Sequence, residues 1–389
     1  MNRAAEERRG FAGALPSVGG RGGPCRGPPR EHMTAMRFGW LTLAHSPSPE
    51  ADYQAIDDLL GQACYAEAAG FDGVWLTEHN FTGEAVYCDP IPFAAAVAVR
   101  TRRVRIGFAV IQLALRHPVR LAVQLALLDN LSRGRLDVGV GRGSLYNEYE
   151  YVGYGLRSDD SRERAAEALE VLTRAWTEEP FAYEGRYFQI RLPSLRPRVY
   201  QRPHPPIWRS VVTAASFAEA GRLGLPIMTA RLPVERVGPL LGVYAEGLTA
   251  GGHSEPERTR LLREAAVWRH VYVADSQAEA EDDLAAAVLH TRRHMLESRA
   301  EHNPPDFHVD PTLLNPFNDP GVGDEEAVRW SLRTGALCGT PKRVAEGVDE
   351  LRQAGVHHLL AQLSFGYLAH DKVMGSMRRF GEEIIPRFR

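Results

Sequence analysis

Two short runs carry side chains that could do chemistry together. The first ends Val74-Trp-Leu-Thr-Glu78-His79, an apolar strand-like run closing on a carboxylate and an imidazole. A histidine placed there exchanges protons near neutral pH, and the carboxylate beside it can orient a ligand. The second ends Gly139-Val-Gly141-Arg142-Gly143-Ser144. Its glycines let a bound group approach the backbone, and its guanidinium offers a planar fork for phosphate. A second arginine, Arg162, follows Ser161 where a helix is expected to start, so free N–H groups and the helix dipole would also favour an anion. Each run has a bland reading as well, a satisfied strand-end histidine or a tight loop with a solvated arginine. Ser144 stands in place of the third glycine of the dinucleotide fingerprint, which argues against Rossmann-type binding.

Other candidates are weaker. His290 and His294 have metal-ligand spacing, but Arg292 and Arg293 lie between them and no third ligand follows, so a solvated helix face is expected and no metal. His357 and His358 open a strand and point to opposite faces. Trp40, Phe81, Tyr87, Tyr146 and Tyr149 could line an aromatic pocket or serve as core. A Gly-Xaa-Ser-Xaa-Gly nucleophile elbow is absent.

Short β-rich runs must position these groups. They fall at 37–43, 72–78, 104–111, 135–140, 206–212, 226–231, 265–273 and 356–364, with amphipathic helical patterns at 52–69, 118–131, 161–178, 233–248, 276–297 and 340–354 among them. Eight alternating βα units predict an α/β fold, a (β/α)8 TIM barrel with insertions, whose chemistry sits where strands end. Two long connections, 179–205 and 298–325, are proline-rich and lack a period. The second is the candidate lid.

The chain has 389 residues, 44% hydrophobic and 24% charged, with formal charge −3. Mixed charges exclude the basic stripe that nucleic acid requires, and no apolar run approaches the roughly 20 residues of a membrane span. Four cysteines, Cys25, Cys64, Cys88 and Cys338, with no CxxC pair, form no disulfide framework and point to a reducing cytoplasm. Residues 1–35 hold seven Gly, four Pro and six Arg with almost no large apolar side chain. They are expected to be a disordered extension ahead of a barrel over 36–389, with Met33 or Met36 as the true start.

The order of motifs carries a resemblance. Met36-Arg-Phe-Gly, Ala69-Gly-Phe-Asp-Gly-Val-Trp-Leu-Thr-Glu-His79, Val104-Arg-Ile-Gly-Phe-Ala-Val, His117-Pro-Val-Arg, Gly141-Arg-Gly, Asp160-Ser-Arg162 and Cys338-Gly-Thr-Pro together resemble the bacterial luciferase-like flavin-dependent monooxygenases. The resemblance implies a barrel that binds reduced FMN (FMNH2) from a separate flavin reductase. It also implies insertion of one oxygen atom of O2 into a small apolar or aromatic substrate through a flavin peroxide. His79 would be the catalytic histidine and Glu78 would lie near the flavin. Arg142 and Arg162 would hold the FMN phosphate. Ala109 and Val110 would pack on the ring, often through a non-proline cis peptide, with Tyr146, Thr213 and Ser216 as further contacts.

Departures accompany the likeness. The thiol that alkanal monooxygenase alpha chains carry beside the flavin is replaced by Gly141, which is expected to widen the pocket. Asn80 stands where a second histidine often follows, and Val212-Thr213 replaces a Glu-Ser pair. Two alternatives stay open on the same barrel: a coenzyme F420-dependent oxidoreductase, and a non-catalytic partner subunit like the luciferase beta chain. The helices at 91–101 and 118–131 read as apolar on more than one face, which predicts a homodimer through them.

Overall fold

All eight expected strands form, and their hydrogen-bonded order runs once around without a break. They are β1 (Arg37–Thr42), β2 (Gly73–Leu76), β3 (Arg105–Phe108), β4 (Leu136–Gly141), β5 (Ile207–Ser210), β6 (Ile227–Ala230), β7 (Ala266–Val273) and β8 (His358–Ser364). Each neighbouring pair is parallel. β8 also pairs with β1, from Arg37 opposite His358 to Thr42 opposite Ser364, so the sheet closes into a barrel. The structure is a computed structural model describing residues 35–230 and 232–389. The extension expected over 1–35 lies outside the described residues except for Ala35.

Side chains alternate between the barrel interior and the surrounding helices, as the period of two requires. Leu41, Trp75, Trp208, Met228 and Leu360 form an interior cluster, while Phe38, Val74, Ile106, Val138, Ala361 and Leu363 join the outer core beneath the helices. Trp75 occupies the lower interior because its neighbours are small. A Cβ on Gly107 would lie 2.3 Å from its ring, and one on Gly39 2.6 Å. Trp75 meets Trp208 edge-to-face at 5.1 Å, and both rings touch His358. Burial pushes the His358 imidazole down to about 4, so it packs against the two indole rings as a neutral group.

Several helices start where the sequence signals them. Thr340 caps the helix Pro341–Gln353 by accepting from the Arg343 N–H, with Pro341 in the first turn. Other stretches differ from expectation. The 179–205 connection folds a two-stranded antiparallel hairpin, Phe181–Glu184 with Gln189–Leu192. The helix after β7 runs from Gln277 to His302, because no breaker interrupts it before Pro304. It thus absorbs the first residues of the candidate lid. A later strand, Ala336–Gly339, pairs parallel with the last residues of β7, His270 to Val273, beyond the stretch that β6 pairs. The helices expected to be apolar all round, Pro90–Arg100 and Pro118–Ser132, bury most of that surface, leaving Val99, Leu127 and Leu131 exposed.

Candidate active site

The mouth at the strands' C-terminal ends is built around His79, three residues beyond β2. Its side chain is one quarter exposed (25%) and lies between two buried carboxylates. Nδ1 is 3.3 Å from Glu150 Oε1, and Nε2 is 3.4 Å from Glu84 Oε1. Burial alone would lower the histidine, but Glu84 and the bond to Glu150 outweigh it and raise the imidazole to about 9. His79 is therefore an imidazolium at neutral pH.

Glu150 comes from a short helix, Glu148–Gly153, lying between β4 and the next barrel helix. It is fully buried and accepts from Gln112 Nε2 at 2.6 Å, Asn147 Nδ2 at 2.8 Å and Asn80 Nδ2 at 3.2 Å. Burial opposes its charge, yet these donors and His79 lower its pKa overall. Arg299 reaches the same cluster by donating to Asn147 Oδ1 at 2.8 Å. Glu84 keeps one buried oxygen, Oε2, without a partner among the described residues.

Beside His79 opens a cavity of about 190 Å³, lined by Leu41, Leu43, Ala109, Val110, Trp268 and Gln362 among others. Ala109 and Val110 are joined by a cis peptide bond on its wall. A Cβ on Gly141 would come within 2.6 Å of Val110 Cγ2. The glycine therefore does not widen the pocket; Val110 fills the space that a larger residue at 141 would need.

Arg142 lies on the loop after β4 and Arg162 in the first turn of the helix Ser161–Thr177; Tyr151 ties the two, its hydroxyl donating to the Arg142 carbonyl at 3.3 Å and also bonding Ser161. Neither guanidinium has an ion-pair or hydrogen-bond partner among the described residues. Glu78 turns away from the cavity, as the residue between Thr77 and His79 must. Its Oε1 accepts from Arg116 at 2.7 Å and its Oε2 from the Gln112 N–H at 2.9 Å. Burial raises Glu78 to about 7 against the pull of Arg116. Thr213 and Ser216 form a capping box at the start of the helix Ala214–Arg222, which engages both hydroxyls. Tyr146 reaches the other way and donates to the Leu313 carbonyl at 2.9 Å.

Several groups near His79 escaped the sequence reading. His45 accepts from the Gly366 N–H through Nδ1 at 2.8 Å, which leaves its proton on Nε2. His294 meets the Tyr367 hydroxyl at 3.1 Å and the His45 ring at 5.7 Å, so it faces inward rather than lying on a solvated helix face. Glu84 and Glu150 had no motif to mark them, since a loop and a six-residue helix bring them to His79. The five aromatics proposed for a pocket do not line the cavity; Trp268 does. Trp40 is fully buried, and Phe81 is 53% exposed.

The residues present fit a flavin. Ala109 and Val110 give the cavity an apolar wall, and the unpaired guanidiniums of Arg142 and Arg162, which follow β4 beyond its C-terminal end, suit a phosphate.

A closed parallel barrel with an acid-flanked imidazolium at its C-terminal mouth defines a barrel enzyme. The luciferase-like monooxygenase family matches residues 36–358, and the chain belongs to that family. It is an oxidoreductase of the flavin-dependent monooxygenase kind. The oxygenase component of the flavin-dependent trigonelline monooxygenase of Acinetobacter baylyi is 26% identical over 357 residues, 91% of this chain and 96% of that protein. Among solved structures, the monooxygenase RslO1 of Streptomyces bottropensis is 29% identical with TM-score 0.77, covering 91% of this chain and 100% of its own. The FMN-bound oxygenating constituent of the 3,6-diketocamphane monooxygenase of Pseudomonas putida shares the fold at TM-score 0.72 and 20% identity, over 91% of this chain and 99% of its own. Among the described residues, no helix is long and apolar enough to cross a membrane.

Proposed function

We propose that the protein is the oxygenase component of a two-component system. It takes reduced FMN from a separate flavin reductase and inserts one atom of O2 into a small apolar or aromatic molecule, in the cytoplasm. The observation that carries this reading is the His79 imidazolium, held between Glu84 and Glu150 at the edge of an apolar cavity. When bound, reduced FMN supplies the electrons that activate O2.

The chain's own residues supply the rest. Arg142 and Arg162 hold the phosphate, and the Ala109–Val110 wall supports the ring. Tyr146, which follows β4, and Thr213 and Ser216, which follow β5, are proposed as further flavin contacts, and Glu78 acts from behind the wall by fixing Arg116 and the Gln112 backbone. His79 holds a proton at Nδ1 against Glu150 and another at Nε2 beside Glu84 Oε1, so it can give the Nε2 proton to a group at the ring and recover one there, with its charge balanced by the two carboxylates. Apolar walls keep water from the reacting atoms. A non-catalytic subunit would have no use for two buried carboxylates around one imidazolium.

The test is anaerobic reconstitution with FMNH2 or reduced F420, followed by O2 in the presence of candidate aromatic substrates. The expected result is FMNH2 binding at one per chain and a product heavier by one oxygen atom. Binding of reduced F420 alone, with hydride transfer and no oxygen incorporation, would replace this reading with the F420-dependent one.

A further inference from the structure

Gln362 lies on β8 opposite Leu41 of β1 and His270 of β7. It faces the barrel interior, since Leu360 two residues earlier belongs to the interior cluster while Ala361 and Leu363 pack beneath the helices. Its side chain is 2% exposed and lines the cavity beside Leu41, Leu43, Leu360 and Trp268. Its Oε1 is buried with no hydrogen-bond partner. A buried amide oxygen left without a donor costs free energy on folding that an apolar side chain of the same shape avoids. Two other hydroxyls on the cavity wall are engaged, Thr77 Oγ1 donating to the Thr42 carbonyl and Thr291 Oγ1 to the Ala287 carbonyl, while Thr229 Oγ1 on β6 is, like the amide oxygen, buried without a partner.

The place of Gln362 indicates which ligand it meets. β8 is three strands from β3, nearly across the barrel from the Ala109–Val110 wall expected to support the ring. A hydroxyl both donates and accepts, so it satisfies the amide whichever way the amide is turned. The wall next to the amide is mostly apolar, Leu41, Leu43, Leu360 and Trp268, which disfavours a charged group at this point, while the charged His79 stands on the β2 side of the cavity. Resting on the reading given under Proposed function, we propose that Gln362 selects the substrate by receiving the hydroxyl of a neutral, otherwise apolar or aromatic molecule.

The full chain and its Gln362→Met variant, both saturated with FMN, are titrated with 4-ethylphenol, 4-ethylanisole and ethylbenzene, and their melting temperatures are compared without probe. The native protein is expected to bind 4-ethylphenol at least about ten-fold more tightly than ethylbenzene, because a site built for a hydroxyl rejects its absence. Gln362→Met is expected to abolish that preference, bind FMN unchanged and melt no lower than the native protein, since the methionine leaves no amide unsatisfied. The same probe ranking in both proteins would overturn the proposal, as would a lower melting temperature with selectivity intact, the mark of a structural amide. Weaker FMN binding with selectivity intact would also overturn it, by assigning the amide to the flavin. FMN binding to neither protein would defeat the proposed reaction instead, while the ranking of probes without FMN would still decide the role of Gln362.

Discussion

His79 owes its charge to its two neighbours, and that dependence can be measured. With the imidazole raised to about 9 by Glu84 and Glu150, oxygenation should hold through neutral pH and fall along a limb near pH 9. Glu84→Gln should move the limb to lower pH. The folded value lies above the unfolded one of about 6.5, so the ion pairs stabilise fully below pH 6.5 and that stabilisation is lost as pH rises through about 9. Denaturant midpoints at pH 6 and pH 9.5 would show the difference, and Glu84→Gln should shrink it. A positioned proton-transfer group is worth about 10²- to 10⁴-fold in rate. His79→Ala should cost that much in product formation, with more hydrogen peroxide per O2 consumed and FMNH2 affinity little changed; full coupling of O2 uptake to product would make His79 structural. His79 and Arg142 were legible because strand ends in a barrel mark themselves. Glu84, Glu150, His45 and His294 were not, because tertiary contact alone gathers them.

At the level of elements, the 303–323 connection is fastened to the mouth by few bonds. Tyr146 donates to the Leu313 carbonyl, Asn303 bridges the Tyr146 carbonyl and the Tyr149 N–H, and Arg299 donates to Asn318 Oδ1. Residues 304–316 bury no side chain, whereas Phe317 and Asn318 are buried and Arg292 donates to the Asp319 and Val322 carbonyls, so the part that opens at low cost is 304–316. Tyr146→Phe combined with Asn303→Ala should speed proteolysis within 304–316 and raise peroxide leakage several-fold, with the melting temperature of the barrel nearly unchanged. A fall in melting temperature without added leakage would make the connection part of the scaffold. The barrel strands were legible because each is an apolar run bounded by turn residues. The hairpin over 181–192 was not, because prolines around it dominate the local signal, and the helix to His302 outran its expected end because polar residues there are good helix formers.

For the whole molecule, exposed Val99, Leu127 and Leu131 lie on adjacent barrel helices, with Tyr53 and Ile56 exposed on the helix before them. The proposed homodimer covers this face, and Leu127→Asp with Leu131→Asp should convert a particle of about twice 43.1 kDa into a monomer by light scattering. A native monomer at micromolar concentration would remove the dimer. The central claim is that the barrel mouth holds a flavin by its phosphate, and affinity for reduced FMN against reduced riboflavin tests it most directly. A lost charged hydrogen bond is worth about 1.5 to 3 kcal/mol. The native protein should therefore favour FMNH2 by at least ten-fold, and Arg142→Ala with Arg162→Ala should erase that preference while riboflavin binding stays put. Equal affinities in the native protein, or equal losses for both flavins in the variant, would contradict the account.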